Sequence, residues 1–175
     1  MEYILLSDEI KSKYRERILF LMKESDNDFI PPLSKRSSTT QKILDDESPS
    51  LGVEAYFGEM MKQEILGVFE DEVLLGFISF KENYTTDKIT ENDLPNIYLS
   101  TLILSTESRG KGVTKKLYAH LFNELYPDKS IFTRTWSTNL AHIKILDYFS
   151  FEEIARLEND RGNGIDTVYF AKRKA

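Results

Sequence analysis

The 175-residue chain contains no cysteine, two histidines and one tryptophan. Without cysteine it can form no disulfide, no thiolate metal site and no thiol nucleophile. A histidine-rich metal site or a serine–histidine relay would have to rest on His120 or His142 alone, and no metal is expected. No apolar run approaches the roughly 18 residues that would read as a membrane span. The opening Met1-Glu2-Tyr3-Ile4-Leu5-Leu6-Ser7-Asp8 lacks the basic stretch and small-residue cleavage site of a secretory leader. A cytoplasmic protein with no membrane partner is the expectation. Cations are the minority charge: 23 Lys and Arg face 29 Asp and Glu, a formal net charge of −6. A generally basic surface for nucleic acid is therefore excluded, although a local basic site for a phosphorylated ligand is compatible with that balance.

What is present is ordinary for a globular protein: 41% hydrophobic and 12% aromatic residues, with charge spread along the chain. The length suits one core-bearing domain, residues 1–175. Tyr3 to Leu6 reads as an opening strand that stops at the capping pair Ser7-Asp8. Ile10, Tyr14, Ile18, Leu21 and Met22 then recur at helical steps over residues 8–23. Residues 25–49 change character, with Pro31-Pro32, a Ser/Thr cluster and the acidic Asp45-Asp46-Glu47, and read as a long, mobile connection. A further helical stripe covers residues 51–63.

Residues 65–69 and 73–80 form a predicted hairpin across Glu70-Asp71-Glu72. Strands follow at 97–104, 130–136, 151–157 and 167–171, with helices at 113–125 and 139–149. The helix between the strands at 97 and 130 makes that pair a parallel crossover, whereas the 65/73 and 151/167 pairs are antiparallel. The layout is mixed α/β.

Between the strand ending at Leu104 and the next helix lies Arg109-Gly110-Lys111-Gly112-Val113-Thr114. Glycines in such a turn can take positive φ, so main-chain N–H groups and the helix start can converge on a phosphate. The run lacks Walker spacing. Lys115 stands where the Rossmann fingerprint needs its third glycine.

Arg109 to Thr114 resembles the acetyl-coenzyme A (acetyl-CoA) turn of the GNAT superfamily of N-acetyltransferases, Arg/Gln-x-x-Gly-x-Gly/Ala, with Thr114 at the last, normally small, position. Asn139 at the start of the next helix, and Ser150-Phe151 where the family closes that helix with Gly-Phe, resemble a second element. The order of strands and helices is similar to the GNAT fold along nearly the whole chain. The resemblance implies a mostly antiparallel sheet with a splayed parallel pair, helices on both faces, and acetyl-CoA as co-substrate. It further implies that the main chain of Leu102, Ile103 and Leu104 pairs with the pantetheine arm. Gly110, Lys111, Gly112, Val113, Thr114 and Lys115 would hold the pyrophosphate beside Arg109, and Asn139 would reach the cofactor.

Transfer to an amine needs a neutral nucleophile, donors for the thioester oxygen and a proton for the thiolate. No covalent nucleophile is required, so the missing cysteine is harmless. Where many relatives carry a glutamate base this chain has Tyr98, a poor base unless perturbed or unless it orders water with carboxylates such as Glu82 or Glu54. Where many carry a tyrosine acid it has Leu146, leaving Tyr148, two residues on, as the candidate. His120 and His142 read as surface or interface histidines, and Trp136 as a candidate wall of the acceptor pocket. The expected activity is acetylation of a primary amine on a small molecule or peptide, with a non-catalytic CoA-binding or sensing module as the alternative. The resemblance also allows a homodimer.

Overall fold

The structure, a computed structural model, describes residues 1–45 and 49–174; Asp46 and Glu47 of the acidic run lie outside them. β-Rich runs become seven strands: β1 (Glu2–Leu5), β2 (Glu64–Glu70), β3 (Val73–Glu82), β4 (Asn96–Leu104), β5 (Ser130–Trp136), β6 (Glu152–Leu157) and β7 (Thr167–Lys172). The helices are α1 (Asp8–Lys13), α2 (Arg15–Glu24), α3 (Val53–Met60), α4 (Val113–His120) and α5 (Leu140–Tyr148). Ser7 caps α1 as its sequence suggests, its hydroxyl accepting from the Ile10 N–H at 3.3 Å.

Two expected helices come out differently. The stripe over residues 8–23 breaks at Tyr14 (φ −100°, ψ 12°), where the hydroxyl donates to the Glu72 carbonyl at 2.9 Å and the ring meets Phe69 edge-on. The stripe over 113–125 is α-helical only to His120. It then widens into one π turn, the Tyr126 N–H donating to the Leu121 carbonyl at 3.0 Å ahead of Pro127.

The strands form one sheet in the order β1-β2-β3-β4-β5-β7-β6. β4 and β5 run parallel, the other neighbours antiparallel. On one face α4 and α5 bury Leu99, Leu104, Val113, Leu117, Leu121 and Leu146. On the other, α1 to α3 bury Ile18, Leu21, Tyr56, Met60, Phe77 and Ile103. Residues 25–45, read from composition as a loose connection, are packed: Leu33, Leu44, Arg36 and Thr39 are all buried.

Two features of β4 shape the site. Its pairing with β5 ends at Leu99 and Thr133, while β4 continues to Leu104 and β5 to Trp136. The strands therefore part, leaving a wedge-shaped gap. Opposite Ser79 and Phe80, β4 also carries one extra residue, Ser100. This bulge resets the alternation: Leu99 packs toward α4 and α5, yet after the bulge Leu104 does so and Ile103 faces α2 and α3.

Candidate active site

The gap opens into a cavity of about 270 Å³ that passes between the two faces of the sheet. Thr114 and Tyr118 of α4 and His142 and Ile145 of α5 line one side; Phe29, Arg36, Arg134, Trp136 and Arg161 line the other. Along the gap the main chain of β4 is presented selectively. The Ser105 N–H donates to the Leu75 carbonyl at 2.7 Å, so by strand alternation Ile103 also points its main-chain groups at β3. Leu102 and Leu104 point theirs at the gap. Of the three residues expected to offer backbone groups, Ile103 contributes only its side chain.

At the mouth lies the glycine turn. Gly110 (φ 71°) and Gly112 (φ 75°) are left-handed, and a Cβ built on either would meet nothing within 4 Å. No side chain caps α4, and among the described residues the first-turn N–H groups of Val113, Thr114 and Lys115 have no main-chain acceptor. Lys111 and Lys115 are exposed there. Arg109 braces the turn: its Nε donates to the Leu104 carbonyl at 3.2 Å, one Nη to Ser25 Oγ at 3.1 Å, and it pairs with Asp28 at 2.8 Å. An uncapped helix start behind two open left-handed glycines fits a diphosphate group, and the unpaired β4 edge fits an amide-bearing arm.

Asn139 is the N-cap of α5 and faces the cavity, its Nδ2 donating to Thr135 Oγ1 at 3.0 Å. Ser150 takes φ 61°; its N–H donates to the Asp147 carbonyl and the Phe151 N–H to the Leu146 carbonyl, both at 3.0 Å. That is the six-residue C-terminal closure for which glycine is the usual occupant.

The candidate proton-transfer groups separate. Tyr98 lines the cavity, and burial pushes its phenol well above the ordinary value; it can donate a hydrogen bond but cannot abstract a proton near neutrality. Tyr148 lies outside the cavity lining, 64% exposed, with the Lys115 ammonium 4.1 Å from its ring centroid. Leu146 is fully buried in the α4–α5 core. Glu54 pairs with Lys23 at 2.7 Å, Glu82 pairs with Lys129, and neither lines the cavity. His120 stacks on Tyr3 and pairs with Glu124 at 3.0 Å.

Sequence reasoning missed two groupings. His142, expected at a surface or interface, is half-buried in the cavity wall, 2.7 Å from the Tyr118 hydroxyl. Burial lowers its pKa to about 4 and raises that of Tyr118. Spacing between two different helices carries no signal for such a pair. Arg36, Arg134 and Arg161, from three separate segments, also converge. The one readable hint was a cation inside the apolar strand Ile-Phe-Thr-Arg-Thr-Trp.

The mixed sheet, splayed parallel pair and glycine turn define an acyl-CoA-type transferase fold. The model of the acetyltransferase (GNAT) family matches residues 33–149, well over half of the chain, and the protein belongs to that family. The fold is similar to the ribosomal-protein-alanine N-acetyltransferase of Brucella melitensis (15% identity, TM-score 0.66, 99% of each chain covered). It is similar to the yncA protein of Salmonella typhimurium, solved with its cofactor acetyl-CoA (16% identity, TM-score 0.66, 99% of this chain and 93% of that one). A further likeness is to an N-acetyltransferase of Staphylococcus aureus Mu50 (15% identity, TM-score 0.67, 99% of each chain). No curated protein matches in sequence. Among the described residues, no helix is long and apolar enough to cross a membrane.

Proposed function

We propose that this is an acetyl-CoA-dependent N-acetyltransferase acting on a primary amine of a small molecule or peptide by direct attack, working in the cytoplasm as one domain across residues 1–175. The observation that carries it is the gap between β4 and β5 with an open, uncapped glycine turn at its mouth. In this reading the amides of Gly110 to Lys115 seat the diphosphate, with Arg109, Lys111 and Lys115 around the mouth. The main-chain groups of Leu102 and the N–H of Leu104, whose carbonyl is held by Arg109, align the pantetheine arm, and Asn139 closes it from α5. Acetyl-CoA supplies the activated acyl group. The chain's own residues orient the two substrates and place N–H dipoles where charge develops on the thioester oxygen.

In the transfer a C–N bond forms and the C–S bond breaks, while one proton leaves nitrogen and one reaches sulfur. Among the described residues the cavity lining holds one carboxylate, Asp28, already paired with Arg109, and one imidazole, His142, which burial makes a weak base with a pKa of about 4. The nitrogen proton therefore passes to water, and water returns one to the departing thiolate. The hydroxyl of Tyr98, held protonated by burial, serves as a hydrogen-bond donor. Tyr148, over Lys115 at the outer surface, is assigned to the rim beside the diphosphate.

The test is release of free thiol from acetyl-CoA across an amine panel, alongside calorimetric titration with CoA. Acceptor-dependent thiol release supports the enzyme. CoA binding with no release on any amine identifies a sensor instead, and absence of CoA binding overturns both.

A further inference from the structure

Four guanidiniums and one carboxylate, Asp28, line the cavity of a protein whose net charge is −6. Arg109 pairs with Asp28. The other three gather on the face of the sheet opposite α4 and α5, and among the described residues none has an ion-pair partner. Arg36 Nε and Nη2 donate to the carbonyls of Pro31 (3.0 Å) and Ile30 (3.2 Å). Arg161 Nη1 donates to the same Ile30 carbonyl at 2.7 Å, and its Nε to Thr167 Oγ1 at 2.9 Å. Arg134 Nη2 donates to the Gln41 carbonyl at 2.7 Å. Asp160 stands one layer back, accepting from Thr167 Oγ1 at 2.6 Å.

Carbonyl dipoles satisfy N–H groups without neutralising charge, and guanidinium charges held in a protein interior without counter-ions are costly. Burial lowers the pKa of Arg161, with Arg36 and Arg134 adding to it, and burial also lowers that of Arg36. At Arg134 burial is outweighed by the neighbouring phenols of Tyr98 and Tyr169, which raise its pKa. Each guanidinium has five donors, more than these bonds use. Phe29 and Trp136, 5.7 Å apart, supply flat walls, with Arg36 stacked on the first and Arg161 on the second. A planar or tetrahedral oxoanion matches such a fork array.

We propose that the acceptor is a small amine carrying an oxoanion, a carboxylate or a phosphonate, which Arg36, Arg134 and Arg161 engage while its nitrogen points toward the Ser100 bulge. This rests on the N-acetyltransferase reading. It also bears on the missing base: cations beside a bound ammonium favour its neutral form, which is the form that attacks.

The experiment pairs turnover with binding. Thiol release is followed on L-alanine against L-alaninamide, on glutamate, on 2-aminoethylphosphonate, and on the cationic amines putrescine and spermidine. Binding of glutarate and 2-aminoethylphosphonate without acetyl-CoA is measured by thermal shift. Anionic acceptors should exceed their uncharged or cationic counterparts in kcat/KM by at least about tenfold, one charge-assisted bond's worth. Arg134→Gln and, separately, Arg161→Gln should raise the acceptor KM about 10- to 100-fold with the acetyl-CoA KM unchanged, and should abolish the anion-induced shift. Preference for putrescine, spermidine or the amide, with CoA binding intact, overturns the oxoanion proposal and leaves the transferase reading standing. Anion binding lost in both variants, in a native protein that fails to bind CoA, supports the oxoanion site and refutes the transferase.

Discussion

Replacing Gly112 by valine separates the energy of the turn from the energy of the ligand. Gly112 sits at φ 75°, ψ 9° at the N-cap of α4, and a Cβ there meets no atom within 4 Å. The fold thus incurs only the backbone penalty of a non-glycine residue in the left-handed region, about 2–3 kcal/mol for a β-branched side chain. For a chain of this size that lowers Tm by roughly 4–12 °C without unfolding the protein at 25 °C. The open space that spares the fold is where a diphosphate would approach the amides. A valine methyl at that point, or a rotated peptide, removes at least one charge-assisted N–H bond worth about 1.5–3 kcal/mol, or roughly 10- to 150-fold in Kd. Calorimetric titration of CoA into native and Gly112→Val protein, beside thermal melts, reads both numbers. A lowered Tm with unchanged CoA affinity would refute the assignment of the turn.

Other outcomes follow from the same geometry. Ser150→Gly relieves φ 61° at the closure of α5 and should stabilise the protein by about 0.5–1 kcal/mol in urea titration. Gly76→Ala should cost about 2–3 kcal/mol, because its Cβ would lie 2.4 Å from the Ile103 carbonyl oxygen and from Leu104 Cδ2; no loss of stability would contradict the close β3–β4 approach. Leu146→Tyr, an attempt to install a phenol where many family members carry one, should destabilise by about 1–3 kcal/mol without raising kcat, since Leu146 lies in the core rather than the cavity. His142 has a folded pKa lowered to about 4 by burial, against about 6.5 in the unfolded chain. Between pH 6.5 and 4 the unfolded state therefore takes up a proton that the native state refuses, and stability falls as pH drops through that window. Discounted for the half-buried ring, the loss is about 1–3 kcal/mol, and His142→Gln should flatten it in pH-dependent denaturation curves.

Elements whose signals are local were legible in the sequence. Ser7, the glycine turn and the parallel pairing of β4 with β5 were all approached from neighbouring residues, because caps, turns and crossovers are specified over a few positions. Ser150 was marked only by the resemblance, as standing where the family has glycine. The break at Tyr14 was not, since it depends on Glu72 and Phe69 far along the chain. Nor was the Ser100 bulge, a mismatch between two strands that neither strand's alternation discloses. Residues 25–45 were misread most, because proline and serine content suggests loose chain. Arg134 and Arg161 pull that segment inward from distant positions by grasping the carbonyls of Gln41 and Ile30. The arginine-lined side of the cavity is therefore tertiary throughout, whereas the glycine-turn side is a local turn beside a strand.

A crystal structure of the protein with acetyl-CoA tests the central claim most directly. The account predicts diphosphate oxygens within hydrogen-bond distance of the main-chain N–H groups of residues 110–115, and the pantetheine arm paired with Leu102 and Leu104 in the gap between β4 and β5. Acetyl-CoA seated elsewhere, with that turn and gap left vacant, would contradict it.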